Sequence, residues 1–138
     1  MSAPVLEARV LIVDDDQQFT KAIKPQLETH FQEVELAASE EEGWALLEKD
    51  CYDLVLLDLI LGEEPTGMGM CRRLKSAERW RDMPVLIVTM ADVLYGMSLK
   101  SLLADGNCLP ADDFADKGLE PSEIVKRARR IVERSVQR

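Results

Sequence analysis

The sequence predicts a doubly wound α/β domain, with five parallel strands in one sheet and helices covering both faces. Three observations predict it. Short apolar runs alternate with amphipathic stretches five times along the chain. The strongest runs, Val10-Leu11-Ile12-Val13, Leu54-Val55-Leu56-Leu57 and Val85-Leu86-Ile87-Val88, are continuous, as strands buried on both faces require. The connections are short, so consecutive strands return through a helix and lie parallel.

After the first run, Phe19, Ile23 and Leu27 recur every four residues as one helical stripe, with Pro25 expected to kink the helix or end it early. Val34, Leu36 and Ala38 alternate with polar neighbours, which predicts a weaker, more exposed second strand. Ser39 with Glu42 three residues on reads as a capping box opening a helix that carries Trp44, Leu46 and Leu47. The third strand ends at Asp58. A loop of turn formers from Gly62 to Gly67 precedes a helix from about Met68 to Arg79. Pro84 introduces the fourth strand, which stops at Thr89. A helix from about Asp92 to Ala104, a loop around Asp105-Gly106-Asn107 and a poor fifth strand near Asp113 to Asp116 follow. The last helix starts near Glu120-Pro121-Ser122 and buries Ile124, Ala128, Ile131 and Val132. No linker or repeat interrupts the pattern, so residues 1–138 read as one domain.

Composition narrows the function. Hydrophobic residues at 46% and charged residues at 31% describe a globular chain rather than a disordered one. A net charge of −9 argues against direct binding of nucleic acid by the body of the domain. The exception is a basic cluster, Lys126, Arg127, Arg129, Arg130, Arg134 and Arg138, which reads as a solvated helix face or a docking surface. No apolar run approaches the ~20 residues of a membrane span, and the N-terminus lacks a signal-peptide pattern, so a cytoplasmic protein without a membrane partner is expected. Cys51, Cys71 and Cys108 show no C-x-x-C spacing and are expected to be reduced and largely buried. His30 is the only histidine, so histidine-based metal sites and triads are improbable.

The chemistry gathers at the strand ends. Asp14-Asp15-Asp16 follows the first strand, Asp58 the third, and Thr89 closes the fourth. In open α/β sheets ligands bind outside the carboxyl ends of the strands, so these side chains can share one crevice. Clustered carboxylates repel and raise one another's pKa unless a cation neutralises them, and an all-oxygen set suits Mg2+. The plainer alternative makes each acid a helix N-cap. That explains Asp16 well but not Asp58, because Leu59-Ile60-Leu61 does not open a helix.

Taken together, Val10-Leu11-Ile12-Val13-Asp14-Asp15, Tyr52-Asp53-Leu54-Val55-Leu56-Leu57-Asp58-Leu59, Pro84-Val85-Leu86-Ile87-Val88-Thr89 and Asp112-Asp113-Phe114-Ala115-Asp116-Lys117 resemble, in order and spacing, the receiver domain of two-component response regulators. The resemblance covers about residues 7–134. It implies a flavodoxin-like (βα)5 fold with strand order 2-1-3-4-5. It implies that Asp58 accepts a phosphoryl group, that Asp15 binds Mg2+ directly and Asp14 more loosely, and that the Ile60 backbone carbonyl is a further ligand. Thr89 would hydrogen-bond a phosphoryl oxygen and Lys117 would ion-pair with it. Phe114, three positions before the lysine, would be the switch aromatic. The partners implied are a sensor histidine kinase or phosphotransfer protein and a downstream protein. That target, or a second copy in a homodimer, would meet the last two helices and the strand between them. No enzymatic activity beyond its own phosphorylation and dephosphorylation is implied.

Three features depart from the family pattern. Gly118 replaces the usual proline after the lysine, so the bond that is typically cis there is expected to be trans or the loop more mobile. Met90 stands where a very small residue is usual and would narrow access to the phosphoryl group. The segment from Met90 to Asp116 is longer by about half a dozen residues, chiefly around Leu102 to Pro110, which would tune partner choice or be a tolerated insertion. Gly118 and Met90 leave open a pseudo-receiver, a binding module that takes no phosphate. A flavodoxin-like enzyme or cofactor carrier is disfavoured, because the first strand-to-helix turn lacks a Gly- and Ser/Thr-rich phosphate cradle.

Overall fold

The computed structural model describes residues 4–62, 64, 66–90 and 111–136. Strands β1 (Leu6–Val13), β2 (Phe31–Ala37), β3 (Leu54–Leu57), β4 (Val85–Thr89) and β5 (Asp113–Asp116) form one sheet in the order β2-β1-β3-β4-β5. Every pairing is parallel. Helices α1 (Gln17–Glu28), α2 (Glu40–Lys49), α3 (Thr66–Ser76) and α4 (Pro121–Val136) cover the sheet. The architecture is the flavodoxin-like α/β fold that the sequence predicts. The expected helix from Asp92 to Ala104, the enlarged loop around Leu102 to Pro110 and Cys108 lie outside the described residues.

Side chains on a strand alternate between faces, and here the alternation divides the interior into two layers. Val10, Ile12, Leu54, Leu56, Leu86 and Val88 pack with Ile23 and Leu27 of α1 and Ile124, Val125, Ala128, Ile131 and Val132 of α4. Leu11, Val13, Val55, Leu57, Val85 and Ile87 face the other way, onto Leu47 of α2 and Met70, Cys71 and Leu74 of α3. Both layers bury their apolar groups almost completely, which is why these strands read as unbroken apolar runs. Gly43 lets α2 approach the sheet: a Cβ there would meet Met70 Cε at 3.0 Å and Val13 Cγ2 at 3.1 Å.

The caps form as expected. Asp16 Oδ1 accepts from Phe19 N–H at 3.1 Å, and Ser39 Oγ accepts from Glu42 N–H at 3.1 Å. Glu42 reaches back one residue further than a strict capping box, accepting from Ala38 N–H at 2.6 Å.

Four expectations need correction. Pro25 does not end α1, which continues to Glu28. It lies in the last turn on an exposed face, so only one backbone bond is lost near an end that already frays. The buried positions of β2 are Phe31, Val34 and Ala37, not the alternating set, and Leu36 and Ala38 are exposed. β2 is an edge strand, so Leu36 has no neighbouring strand beyond it to cover it. Helix α3 spans Thr66–Ser76, starting and stopping earlier than Met68 to Arg79. Arg79 instead leaves the helix and donates to Glu48 O at 2.9 Å and Leu47 O at 3.2 Å, satisfying carbonyls at the end of α2. Of the described cysteines, Cys71 is buried, and burial pushes its thiol up to about 11, but Cys51 is exposed.

The joint between α2 and α3 is aromatic. Trp44 and Trp80 pack in a tilted pair, 53° between ring planes and 5.4 Å between centroids, with the Arg73 and Arg79 guanidinium groups over their faces at 4.6 Å and 4.8 Å.

Candidate functional site

Asp14, Asp58 and Lys117 each sit one step beyond a strand and Thr89 closes one, and the sheet's own hydrogen bonding continues out to them. Asp14 N–H donates to Ala37 O at 3.0 Å, Asp58 N–H to Val13 O at 3.1 Å, and Lys117 N–H to Thr89 O at 2.8 Å. The backbone of the site is therefore as fixed as the ladder itself, and only the side chains have freedom. Asp14, Asp58 and Thr89 are buried and Asp15 is exposed.

Those side chains converge. Thr89 Oγ1 donates to Asp58 Oδ1 at 2.6 Å, and Ile60 N–H donates to the same oxygen at 3.1 Å. Lys117 Nζ lies 2.7 Å from Asp58 Oδ2, 2.9 Å from Asp14 Oδ2 and 3.3 Å from Asp16 Oδ2. The lysine side chain is only 5% exposed, so these carboxylates replace its lost water. Asp14 Oδ1 also accepts from Asp16 N–H at 2.9 Å. Asp15 Oδ2 accepts from Gly62 N–H at 2.9 Å, which ties the first strand end to the loop after the third. Gly62 has a φ of 68°, a left-handed conformation that glycine adopts without strain.

The charges are coupled to burial. Burial pushes the Asp14 carboxyl up to about 6, against the pull of the Asp16 N–H and the Lys117 ammonium. Like-charge repulsion from Asp58, of the kind the sequence predicts, adds to the rise but less than burial does. At Asp16 burial also pushes upward, but the Phe19 N–H and Lys117 outweigh it and the carboxyl falls below its ordinary value. Burial depresses Lys117, but the hydrogen bonds it donates to Asp58 and Asp14 prevail and hold its pKa above the ordinary value.

One ligand oxygen from each of Asp14, Asp15 and Asp58 lies within 4.8 Å of the others, close enough to share a cation. The group contains neither histidine nor cysteine, and its all-oxygen character fits a hard divalent ion such as Mg2+. Ile60 lies two residues beyond Asp58, half-buried, in the loop where a backbone ligand is expected.

Phe114 is half-buried beside the α2–α3 layer. Its carbonyl accepts from Arg127 Nη1 at 2.6 Å, which pins β5 to α4. Arg127 and Arg129 also pair along their own helix with Glu123 and Glu133, so part of the basic cluster is structural. Among the described residues no peptide bond is cis, so Lys117–Gly118 is trans. Asp116 Oδ1 accepts from Gly118 N–H at 2.8 Å and holds the turn, a bond that a proline could not donate. Met90 is 52% exposed and shares a groove of about 260 Å³ with Phe19, Lys117 and Leu119.

Two contributions were not read from the sequence: the pairing of Asp16 with Lys117, and Gly67. Asp16 serves both as cap and as a partner of Lys117. Gly67 underlies Asp58: a Cβ there would overlap the Asp58 carbonyl oxygen and come within 2.9 Å of Leu59 Cα. Gly67 N–H donates to Leu59 O at 3.1 Å, so α3 starts directly against the phosphoacceptor candidate's backbone. The Thr-Gly pair at the end of a turn-rich loop was the available signal for the latter.

Comparison with known proteins agrees with this geometry. The family model of the response regulator receiver domain matches residues 10–129. The DNA-binding dual master transcriptional regulator RpaA of Synechocystis sp. is 31% identical over 92% of this chain and 50% of its own length. The response regulator MprA of Mycolicibacterium vanbaalenii is 30% identical over 94% of this chain and 52% of its own. The chain thus spans about half the length of each of these relatives. Among solved structures, the CheY-like receiver domain protein of Methanospirillum hungatei has a TM-score of 0.77 at 26% identity, covering 96% of this chain and 98% of its own.

Proposed function

The chain belongs to the response regulator receiver domain family, and on that premise we propose that it is a phosphorylation-dependent signalling switch with Asp58 as phosphoacceptor. The observation that carries the reading is the setting of Asp58: buried, with the Thr89 hydroxyl on one oxygen and the Lys117 ammonium on the other. A sensor histidine kinase or phosphotransfer protein would present a phosphorylated imidazole. An Asp58 oxygen attacks phosphorus, a P–O bond forms, the P–N bond breaks and the imidazole nitrogen keeps the electron pair. Thr89 and Lys117, now bonded to Asp58, turn to the phosphoryl oxygens and offset their added charge. Mg2+ held by Asp14, Asp15, Asp58 and the Ile60 carbonyl would supply the remaining neutralisation of charge. Water ends the signal by hydrolysing the aspartyl phosphate to the free Asp58 carboxylate and inorganic phosphate, and no other substrate is turned over.

The phosphoryl group adds nearly two negative charges at the end of β3. Thr89 is drawn toward them, and Phe114, on the adjoining strand, responds to the space vacated. The readout is the face made by β5, α4 and the helix expected before them, where a downstream protein or a second copy would dock.

The test is labelling by acetyl phosphate with Mg2+. Wild type should acquire a hydroxylamine-sensitive label and Asp58→Asn should not; a label retained by the variant would overturn the assignment. A pseudo-receiver is the second reading, favoured by Met90, which lines the groove beside Lys117 where a very small residue is usual. Beryllofluoride with Mg2+ separates the two, since only a phosphate-accepting site changes its amide spectrum.

A further inference from the structure

We propose that Phe19 is a positioning residue for Lys117, its ring face seating the ammonium group beside Asp58. The proposal rests on the phosphoacceptor reading. Lys117 Nζ lies 5.0 Å from the centroid of the Phe19 ring, within the ~6 Å over which an aromatic face attracts a cation. The lysine is almost wholly withdrawn from water, so the ring is a partner that solvent does not replace. Attraction to a ring quadrupole is strengthened by such desolvation.

One helical turn builds the seat. Asp16 caps α1 through Oδ1, which accepts from Phe19 N–H, and its Oδ2 faces Lys117 at 3.3 Å. Residues 16 and 19 are three apart and share a face. The same turn therefore offers the lysine one charged partner and one neutral one. Phe19 itself is only half-buried, at the edge of the α1–α4 layer and along the groove shared with Met90 and Leu119. Packing alone would be served by leucine.

The neutral partner matters because Lys117 must change allegiance. Before phosphorylation its ammonium is shared by Asp14, Asp16 and Asp58. Afterwards it must release part of that grip and follow the phosphoryl oxygens. A fourth carboxylate would hold it back. A ring face is nearly indifferent to small lateral movement, so it keeps the ammonium near Asp58 while the ionic partners exchange. The backbone beneath is held separately, by Lys117 N–H to Thr89 O and by the Asp116 turn, so the seat acts on the side chain.

The test uses the whole chain with Phe19→Leu, Phe19→Trp, and 4-fluoro-, 3,5-difluoro- and pentafluorophenylalanine at position 19. In the metal-free protein, the Lys117 Hε protons should show an upfield ring-current shift in wild type that Phe19→Leu abolishes. Labelling by acetyl phosphate should slow about fivefold in Phe19→Leu, recover in Phe19→Trp, and fall steadily with fluorination while thermal stability stays level. A flat fluorination series, or a wild-type spectrum without the ring-current shift, would overturn the proposal. If wild type takes no label, the phosphoacceptor reading fails, and the spectrum alone then decides the seat: a shift lost in Phe19→Leu supports it and no such loss removes it.

Discussion

Replacing Asp14 with asparagine keeps the shape of the most buried carboxylate in the site and removes its charge. In the folded chain burial holds this carboxyl at about 6, against an ordinary value of 3.8. At about 1.36 kcal/mol per pH unit, that gap corresponds to about 3 kcal/mol between the neutral and charged forms. The figure already contains the attraction to Lys117 and the Asp16 N–H. The folded state binds the proton more tightly than the unfolded state does, so wild-type stability from this group is full below pH 3.8 and is lost as pH rises through 6. Asparagine never pays that loss. Metal-free Asp14→Asn is therefore expected to be more stable than wild type by up to about 3 kcal/mol above pH 6, with the advantage fading toward pH 4. Urea unfolding in chelator at pH 7.5 and pH 4.5 measures it. Added Mg2+ should then narrow the difference, because bound metal stabilises the folded state that holds it better. A variant equal to or weaker than wild type at pH 7.5 without metal would refute the claim that burial dominates this carboxylate.

Gly67→Ala places a Cβ into the Asp58 carbonyl; it should destabilise the fold by at least ~2 kcal/mol in urea unfolding and slow labelling of whatever remains folded. Equal stability would show that α3 can retreat freely. Met90→Ala should speed hydrolysis of the aspartyl phosphate, because Met90 walls the groove beside Lys117; equal dephosphorylation rates would remove that role.

What the sequence made legible is what depends on local pattern. The three continuous strands were plain because burial on both faces leaves no polar positions, and Asp16 and Ser39 were plain because a cap is read from its own turn. Asp14, Asp58 and Thr89 were legible because each ends a continuous apolar run, whereas Ile60, Lys117 and Phe114 were legible only through the family resemblance. The second strand misled, since Leu36 sits on the correct face for burial but on the outermost strand. Pro25 misled because its cost depends on how far it lies from the helix end, and boundaries are the least certain part of a sequence reading. The Lys117 clasp joins residues more than 100 apart in sequence, and its Phe19 seat adds a contact across the same gap. The Gly67 contact is steric and lies across a loop, so the Thr-Gly pair marks a turn there but not the residue it packs against.

The chain has two tryptophans, and both lie in the aromatic joint between α2 and the turn after α3. Its native tryptophan emission therefore arises from one spot on one side of the sheet, under two guanidinium groups. Light from this protein gauges how tightly those two helices are clasped, while Phe114 and Arg127 work at the opposite edge strand. An optical signal that follows phosphorylation would mean that α2 and α3 shift against each other, in the layer that Phe114 also borders; a silent one would mean that this joint holds still while the β5 edge moves.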